Sequence, residues 1–515
     1  MANKTLFSTA LSRFLPRTDA VNDAGGAAYA YGAEAKLAQL AVTGTLSQGF
    51  YSGPDAQLAD VLSAARAASP EFVAKAAVYA RQSGAMKDMP ALLAAYLTVA
   101  EPDIAVPLFG RVIDNGRMLR NFVQIMRSGQ VGRRSLGSRP KRLVREWLEK
   151  ASMRQLMAAA TGNSPSLADI VRMVHPAPAS VERRAFYGWL IGKPYDVAAL
   201  PAEIAAFEAW KRDPSGPLPP VPFEWLTAFP LSAEQWGDLA ARMGWQALRM
   251  NLNTLARSGA FDVAGVTEAV AARLADVEAI AKIKPAPYQL MIALDQVGDA
   301  VPLAVQASLE KALELSLATV PVLAGHVVVC PDVSGSMSSA ATGYRKGATS
   351  KVRCIDIAAL VAAAVLRTNR SARVMPFEVD VVDMALDPKA RVAVNAARLA
   401  AIGGGGTNVS APLARLNRER AKVDTVVIVS DNESWVDPTR RGATATMAEW
   451  TKLKARNPGA KLICIDIQPY GTTQAKDRKD IMNVGGFTDA VFDAMARFAA
   501  GEARDWVQIV NEVEV

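Results

Sequence analysis

The hydrophobic pattern divides the chain into two parts with different periods. Over residues 33–318, apolar residues recur every three or four positions in Ala- and Leu-rich segments separated by Pro or Gly. This is the period of amphipathic α-helices, and many short helices in series are typical of helical hairpins stacked in a solenoid. The pairs Ser69-Pro70 and Ser164-Pro165 are predicted to be the N-cap and first turn of two helices.

The period changes after Pro321, where short β-branched runs alternate with helical stretches. The predicted strands lie at residues 322–330, 372–379, 424–431 and 460–467. The predicted helices lie at residues 354–368, 409–422 and 444–457. Strands alternating with helices predict right-handed βαβ units and a parallel sheet covered on both faces.

Candidate metal ligands follow two of these strands. Asp332, Ser334 and Ser336 form a DxSxS pattern at the end of the first strand, and Asp431 follows the third. Between them, four glycines precede Thr407 and let its backbone come close. Ligands bind at the carboxyl ends of parallel strands. Because Mg²⁺ prefers about six oxygens at roughly 2.1 Å, these carboxylates and hydroxyls predict a site for Mg²⁺ or another divalent cation.

The five positions resemble the metal-ion-dependent adhesion site of von Willebrand factor A (vWA) domains. That resemblance implies a metal that keeps one place for an acidic group of a partner and breaks no bond. The alternative is that these Asp and Ser residues only cap loops. A hydrolase would need a general base, and no histidine lies in the motif. No GK[ST] follows the glycines, which excludes a P-loop, so we expect a protein that is not an enzyme.

Composition restricts the class of protein further. The chain has 515 residues, of which 50% are hydrophobic and 21% charged, as in multidomain globular proteins. Its three cysteines fit neither a CxxC pair nor a disulfide ladder. No window approaches the roughly 18 uncharged apolar residues of a membrane span, and the N-terminus does not resemble a secretion signal. We expect a cytoplasmic protein without a membrane partner.

The net charge of +8 is concentrated in one segment. Residues 111–154 carry twelve Lys or Arg against three acids, a net of +9, and ten of the twelve are Arg. Guanidinium groups suit phosphates, although such a run is also compatible with a solvated surface. Without an RNP or zinc-finger signature, recognition of RNA by shape and backbone fits best. The candidate phosphate contacts are Arg117, Arg120, Arg127, Arg133, Arg134, Lys141, Arg142 and Arg145.

Taken together, these features resemble one family, the TROVE-domain Ro autoantigen proteins with their bacterial Rsr members. Shorter matches run along nearly the whole chain. They are Asn22–Gly26 with Tyr29, Lys141-Arg142 to Trp147, Arg172–Pro176, Ala281–Pro285 with Ile292–Leu294, and Gly485–Phe487.

The resemblance implies a multidomain fold. Residues 1–320 would form an all-α TROVE domain of HEAT-like helical repeats that closes into a monomeric ring. Residues 321–515 would form an α/β vWA domain with a Rossmann-like parallel sheet. Small noncoding Y RNA would bind the basic outer surface, and single-stranded ends of misfolded RNA would enter the central hole. Polynucleotide phosphorylase or another exoribonuclease would act with this ribonucleoprotein in RNA quality control.

The resemblance also assigns a role to His175, which matches a family histidine implicated in Y RNA binding, with Arg172 beside it. A structural role for this histidine is the alternative. The sequence departs from the family at residues 158–163, which are uncharged where the family is basic. Either other arginines (Arg154, Arg172, Arg183, Arg184) substitute, or the preferred RNA differs. The rival reading is a metal-dependent protein–protein interaction scaffold that binds no RNA.

Overall fold

The computed structural model describes residues 15–44, 46, 50–162, 164–341, 352–435, 442–468 and 470–515. They form two compact units. The first consists of the described residues up to Met89 together with Ala286–Tyr288 and Ser316–Glu514, and the second of Pro90–Pro285, Gln289–Leu315 and Val515. The predicted domain boundary at residue 320 follows the change from helices to strands and stays a prediction. The division into compact units instead places the described residues up to Met89 in the same unit as the strand-containing part.

The described residues contain the following α-helices: α1 (Ala33–Thr43), α2 (Pro54–Ala67), α3 (Pro70–Gln82), α4 (Asp88–Ala100), α5 (Pro102–Val112), α6 (Gly116–Ser128), α7 (Ser138–Lys150), α8 (Met153–Ala159), α9 (Leu167–Val174), α10 (Val181–Ile191), α11 (Ala202–Trp210), α12 (Phe223–Leu226), α13 (Ala233–Arg242), α14 (Trp245–Met250), α15 (Leu252–Arg257), α16 (Val266–Leu274), α17 (Val277–Ile283), α18 (Pro287–Gln296), α19 (Leu303–Ser316), α20 (Cys354–Thr368), α21 (Val392–Ala400), α22 (Ala411–Arg418), α23 (Ala445–Arg456), α24 (Asp489–Ala500) and α25 (Trp506–Asn511). The strands are β1 (Ala20–Val21), β2 (Ala27–Ala30), β3 (Val327–Pro331), β4 (Arg373–Val374), β5 (Thr425–Ser430), β6 (Lys461–Asp466), β7 (Thr472–Thr473) and β8 (Ile481–Gly485). Within this part of the chain, no helix combines the length and the apolar character that crossing a bilayer requires.

The helix boundaries follow from capping side chains. Ser69 caps α3 as predicted, because its hydroxyl accepts a hydrogen bond from the Phe72 amide over 3.4 Å. The prediction at Ser164-Pro165 is wrong by two residues. Helix α9 begins at Leu167, and its cap is Ser166, whose hydroxyl accepts from the Asp169 amide over 3.1 Å. The Asp169 carboxylate in turn accepts a hydrogen bond from the Ser166 amide over 3.0 Å, and this reciprocal pair sets the start of the helix.

A five-stranded parallel sheet forms the centre of the first unit, in the order β4-β3-β5-β6-β8. Every residue of β3, β5 and β8 is buried, which requires cover on both faces. Helices α22 and α23 supply Leu413 and Trp450 to the core against Val328 and Ile428, and α20 also packs against β3 and β5. The predicted parallel α/β fold after a helical N-terminal part is confirmed.

Three strands differ from the prediction. β3 begins at Val327 instead of residue 322, since Gly325 has a φ of +80° that interrupts an extended run. β4 covers only Arg373–Val374 instead of residues 372–379, although the Met375 and Phe377 amides still donate to the Val329 and Pro331 carbonyls of β3. β8 was not predicted, because Asn483 interrupts its apolar pattern. In the fold this amide side chain is satisfied by the Thr473 hydroxyl over 2.8 Å and by the Ala475 carbonyl over 2.8 Å.

A second, antiparallel sheet joins the N-terminal segment to the same unit. β1 pairs with β2, and β2 pairs with β7 in a register that sets Tyr29 opposite Thr473. Tyr29 is fully buried in the core beside the parallel sheet. Its hydroxyl donates to the Pro16 carbonyl over 2.9 Å and accepts from the Thr444 amide over 3.3 Å. The N-terminal segment is therefore part of the α/β unit, which the sequence pattern did not indicate.

Candidate metal centre and candidate RNA interface

The fold brings the five predicted metal-site residues together at one edge of the parallel sheet. β3 and β5 are neighbours in the sheet, so Asp332 and Asp431 leave the same edge. The side chains of this set are all buried, and they come from three separate loops. The exposed fractions are Asp332 0%, Ser334 1%, Ser336 5%, Thr407 1% and Asp431 1%.

Hydrogen bonds connect these residues into one network. The Thr407 hydroxyl donates to Ser334 Oγ over 2.9 Å, and Ser334 Oγ lies 3.3 Å from Ser336 Oγ. Ser336 lies near the Asp431 carboxylate and partly offsets the rise that burial causes in its pKa. Asp332 accepts from the Ser334 amide over 2.9 Å. The three hydroxyls thus lie between two carboxylates, which is the donor chemistry that a hard cation prefers.

The electrostatics of the site also favour a cation. Burial, followed by the charge of Asp431, raises the pKa of Asp332 to about 7. Burial likewise raises the pKa of Asp431, whose Oδ2 is buried and accepts no hydrogen bond. Two buried carboxylates of this kind are stabilised by a positive charge between them. The described residues contain no group of three or more His, Cys, Asp or Glu side chains that could hold a metal, so any site here depends on hydroxyls.

The glycine loop determines where Thr407 lies. The Gly404 amide donates to the Val333 carbonyl over 3.1 Å, and the Gly335 amide donates to the Gly405 carbonyl over 3.1 Å. Gly405 has φ +71°, and a Cβ at this position would lie 2.1 Å from Glu378 Oε2. The positive φ of Gly405 favours glycine, and the two backbone hydrogen bonds hold the loop against the DxSxS turn, as the sequence predicted.

Three residues near the site were missed by sequence reasoning. Glu433 follows Asp431 by two residues and is fully buried, which raises the pKa of its carboxyl to about 8. Burial also raises the pKa of Asp466, at the end of β6, well above its ordinary value. Tyr51 lies near Ser336 and the acids of the site, and burial raises the pKa of its hydroxyl to about 12. The acids follow strands and were available as a signal, whereas nothing in the local pattern indicates Tyr51.

The basic segment forms a surface on the second unit, where α9 packs against α6, α7 and α10. Arg145 on α7 donates from Nε to the Val174 carbonyl over 2.5 Å. This places its guanidinium beside His175, an exposed residue that ends α9 with φ +49°. Arg172 lies one turn earlier on α9. Hydrogen bonds from Ser166 lower the pKa of the Asp169 carboxyl, and the charges of Arg172 and of Arg127 on α6 lower it further. Three of the predicted residues, Arg145, Arg172 and His175, therefore lie on or beside the last turn of α9.

The predicted RNA contacts differ in exposure. Exposed members of the set are Arg127, Arg133, Arg134, Arg142, Arg145, Arg172 and His175. Partly buried members are Arg117, Arg120 and Lys141. Arg120 donates to the Ala159 carbonyl at the end of α8 over 2.9 Å, and burial lowers the pKa of its guanidinium. This hydrogen bond gives Arg120 a structural role in the packing of α6 and α8.

The arginines that could substitute for the uncharged stretch also differ in exposure and in hydrogen bonding. Residues 158–162 lie within the described residues, whereas Asn163 lies outside them. Arg183 donates to the Leu148 carbonyl over 2.5 Å and the Ala151 carbonyl over 2.9 Å, so it closes the end of α7. Arg184 is exposed and donates to the Pro178 and Ala179 carbonyls, close to His175 in the chain.

Comparison with known proteins defines the class of this fold. Residues 326–499 match the Ro60 vWA domain family. The chain is 25% identical to the RNA-binding protein RO60 of Deinococcus radiodurans over 521 residues, which is 93% of this chain and 95% of that protein. The crystal structure of the D. radiodurans RO (RSR) protein matches with a TM-score of 0.62 and 21% identity, over 92% of this chain and 100% of the other.

Residues 326–499 are therefore similar to a vWA domain, and the buried Asp, Ser and Thr network lies within this matched stretch. Over nearly its whole length the chain is similar to the RNA-binding protein RO60 of D. radiodurans and to the fold of the RO (RSR) protein. The family resemblance read from the sequence is confirmed.

Proposed function

We propose that this protein is a non-enzymatic RNA-binding scaffold in noncoding RNA quality control. It binds small Y-like noncoding RNA on the surface formed by α6, α7, α9 and α10, and it takes single-stranded ends of misfolded RNA. The observation that carries the proposal is the convergence of Arg145, Arg172 and His175 at the end of α9. The D. radiodurans relative is named as an RNA-binding protein, not as an enzyme, which supports it.

The chemistry of this surface suits phosphate. Arg145 uses Nε on a helix carbonyl and leaves its terminal nitrogens for an anion. Arg172 is similarly anchored, since it donates to the Ile191 carbonyl over 3.0 Å and lies 3.5 Å from Asp169. A guanidinium held in this way loses little further entropy when it contacts phosphate. With roughly six to eight phosphates neutralised, the log–log slope of affinity against salt is about −4 to −6 for single strands.

The test is charge reversal on this surface. A variant with Arg127→Glu, Arg145→Glu and Arg172→Glu should lose RNA and lower the magnitude of the salt slope by about 2. The matched control reverses three exposed arginines of the other unit, Arg370, Arg398 and Arg504. RNA that copurifies with the full-length protein is sequenced for wild type, variant and control. Equal recovery of RNA by the variant and the wild type contradicts the proposal.

We also propose that Mg²⁺ or another divalent cation binds between Asp332, Ser334, Ser336, Thr407 and Asp431. The orphaned Asp431 Oδ2 and the hydroxyl network support this. A bound cation would supply an attraction for an acidic group of a partner. Isothermal titration with Mg²⁺ tests it, and an Asp431→Asn variant with unchanged affinity would exclude the site.

An exoribonuclease such as polynucleotide phosphorylase is the proposed protein partner, with Y-like RNA as tether in the cytoplasm. The expected result is a complex that ribonuclease treatment dissolves and that the triple arginine variant does not form. Recovery of the nuclease after complete removal of RNA would contradict the tether. Microscopy of a fluorescent fusion tests the cytoplasmic location.

A second candidate function is protein binding at the metal site without RNA. Trp435 favours it, because this side chain is 54% exposed directly after the metal loop, and its amide donates to the Thr407 carbonyl over 3.3 Å. Exposed tryptophans are typical of protein interfaces. In this case Asp332→Ala would abolish partner capture, and reversing the arginines would have no effect.

A further inference from the structure

The N-terminal turn of residues 22–26 lies directly on the loop that carries Asp431. Asn22 is 4% exposed, and its Nδ2 donates to the Ser434 carbonyl over 2.8 Å, 412 residues further along the chain. The same side chain closes the turn, since its Oδ1 accepts from the Gly26 amide over 2.5 Å. A Cβ at Gly26 would lie 2.2 Å from the Ser434 carbonyl oxygen. The turn and the metal loop therefore fit closely.

Glu433 connects this turn to the metal site. Its Oε2 accepts from the Ala24 amide over 3.0 Å, and its own amide donates to Asp431 Oδ1 over 3.2 Å. Two hydrogen bonds thus lead from the N-terminal turn to a proposed cation ligand. The second carboxylate oxygen of Glu433, Oε1, is buried and accepts no hydrogen bond.

The cost of burying carboxylates couples the contact made by the N-terminal turn to the binding of a cation. Glu433 and Asp431 are both removed from water, and each retains a carboxylate oxygen without a partner. Buried carboxylates are destabilised unless donors or cations compensate them. The Ala24 amide supplies one donor, and a cation would supply the remaining positive charge. The docked turn and the bound cation should therefore each favour the loop conformation that the other requires.

We propose that the turn of residues 22–26 is a positioning element of the cation site, so that docking of this turn and cation binding are thermodynamically linked. The inference rests on the proposed cation site. Linkage is reciprocal: loss of the turn weakens cation binding, and the cation tightens the turn. Asn22 and Glu433 act through the loop and are positioning residues.

The experiment measures Mn²⁺ affinity of the full-length protein by electron paramagnetic resonance. Asn22→Ala is expected to weaken Mn²⁺ binding about tenfold, within the range typical of coupled sites. The control is Asp19→Ala at the other end of the same segment. It removes a 2.8 Å bond from the Ala30 amide and a 3.6 Å ion pair with Lys476, so it should lower Tm and leave Mn²⁺ affinity unchanged.

Hydrogen exchange gives an independent readout, because the Ala24 amide should exchange at least several-fold more slowly when Mn²⁺ is added to the wild type. Gly26→Ala covers the case in which Asn22→Ala does not fold. A Cβ at this position would lie 2.2 Å from the Ser434 carbonyl oxygen, so it displaces the turn from the loop without removing a charge, and it should weaken Mn²⁺ binding.

Wild-type Mn²⁺ affinity in folded Asn22→Ala or in folded Gly26→Ala overturns the inference, as does equal weakening by Asp19→Ala. If the wild type itself binds no Mn²⁺, the cation site fails and the inference fails with it.

Discussion

Nε of Arg145 donates to the carbonyl oxygen of Val174 over 2.5 Å and joins α7 to the last turn of α9, 29 residues further along the chain. The carboxyl end of a helix carries a partial negative charge, so this cation stabilises the packing of the two helices. The same bond orients the guanidinium beside His175, at the surface. One side chain thus combines a structural contact with a position suited to phosphate.

Replacement of Arg145 by lysine separates charge from geometry. Lysine keeps the positive charge, but it cannot hold the Val174 carbonyl and present a fork to phosphate at once. We expect Arg145→Lys to weaken RNA binding about tenfold, in line with the loss of one charge-assisted hydrogen bond. Filter binding at constant salt measures this. Affinity equal to that of the wild type would show that only the charge matters.

Arg120 and Arg127 lie on the same helix and should behave in opposite ways. Arg120 donates to the Ala159 carbonyl and is half-buried, so Arg120→Ala should cost about 1–2 kcal/mol of stability. Faster hydrogen exchange in α6 and α8 would show this loss, with RNA affinity nearly unchanged. Arg127 is exposed, and Arg127→Ala should reduce RNA affinity without changing the exchange. The reverse outcome would assign the phosphate contact to Arg120.

The Thr407 hydroxyl should be required for cation binding, because it reaches Ser334 from a separate loop. Thr407→Ala is expected to weaken Mg²⁺ binding by about tenfold or more, as is typical of residues that hold a metal or its ligands. Thr444→Ala is the matched control. It removes an equally buried hydroxyl, which donates to the Gln474 carbonyl over 2.7 Å and caps α23. Titration calorimetry should show a loss of affinity only for Thr407→Ala.

The metal-free protein should lose stability as pH rises. Burial raises the pKa of Asp332 from 3.8 to about 7, so between these values the folded state keeps a proton that the unfolded state has released. Unfolding free energy therefore falls as pH rises through this window. A cation displaces that proton, so its affinity should rise over the same range. Thermal unfolding with EDTA and with Mg²⁺, from pH 4.5 to pH 7.5, measures both trends. Parallel pH profiles in the two conditions would contradict a cation at Asp332.

The sequence by itself determined the type of most main elements after Pro321 and the composition of the candidate metal site. The run at 354–368 has a buried helical pattern and forms α20 over those residues. The site was predictable because the carboxyl ends of parallel strands lie at one edge, so Asp332 and Asp431 meet whenever their strands are neighbours. Local periodicity is sufficient for both conclusions, since it records which face of an element is buried.

Only the tertiary structure decided which partners those faces meet. The pairing of Tyr29 with Thr473 and the bond from Asn22 to Ser434 join residues more than 400 positions apart and leave no local pattern. The same applies to Arg120, which the charge pattern assigned to phosphate and the fold gives to the Ala159 carbonyl. A charge or an amide in the sequence states what a residue can bond, but packing determines which acceptor is within reach.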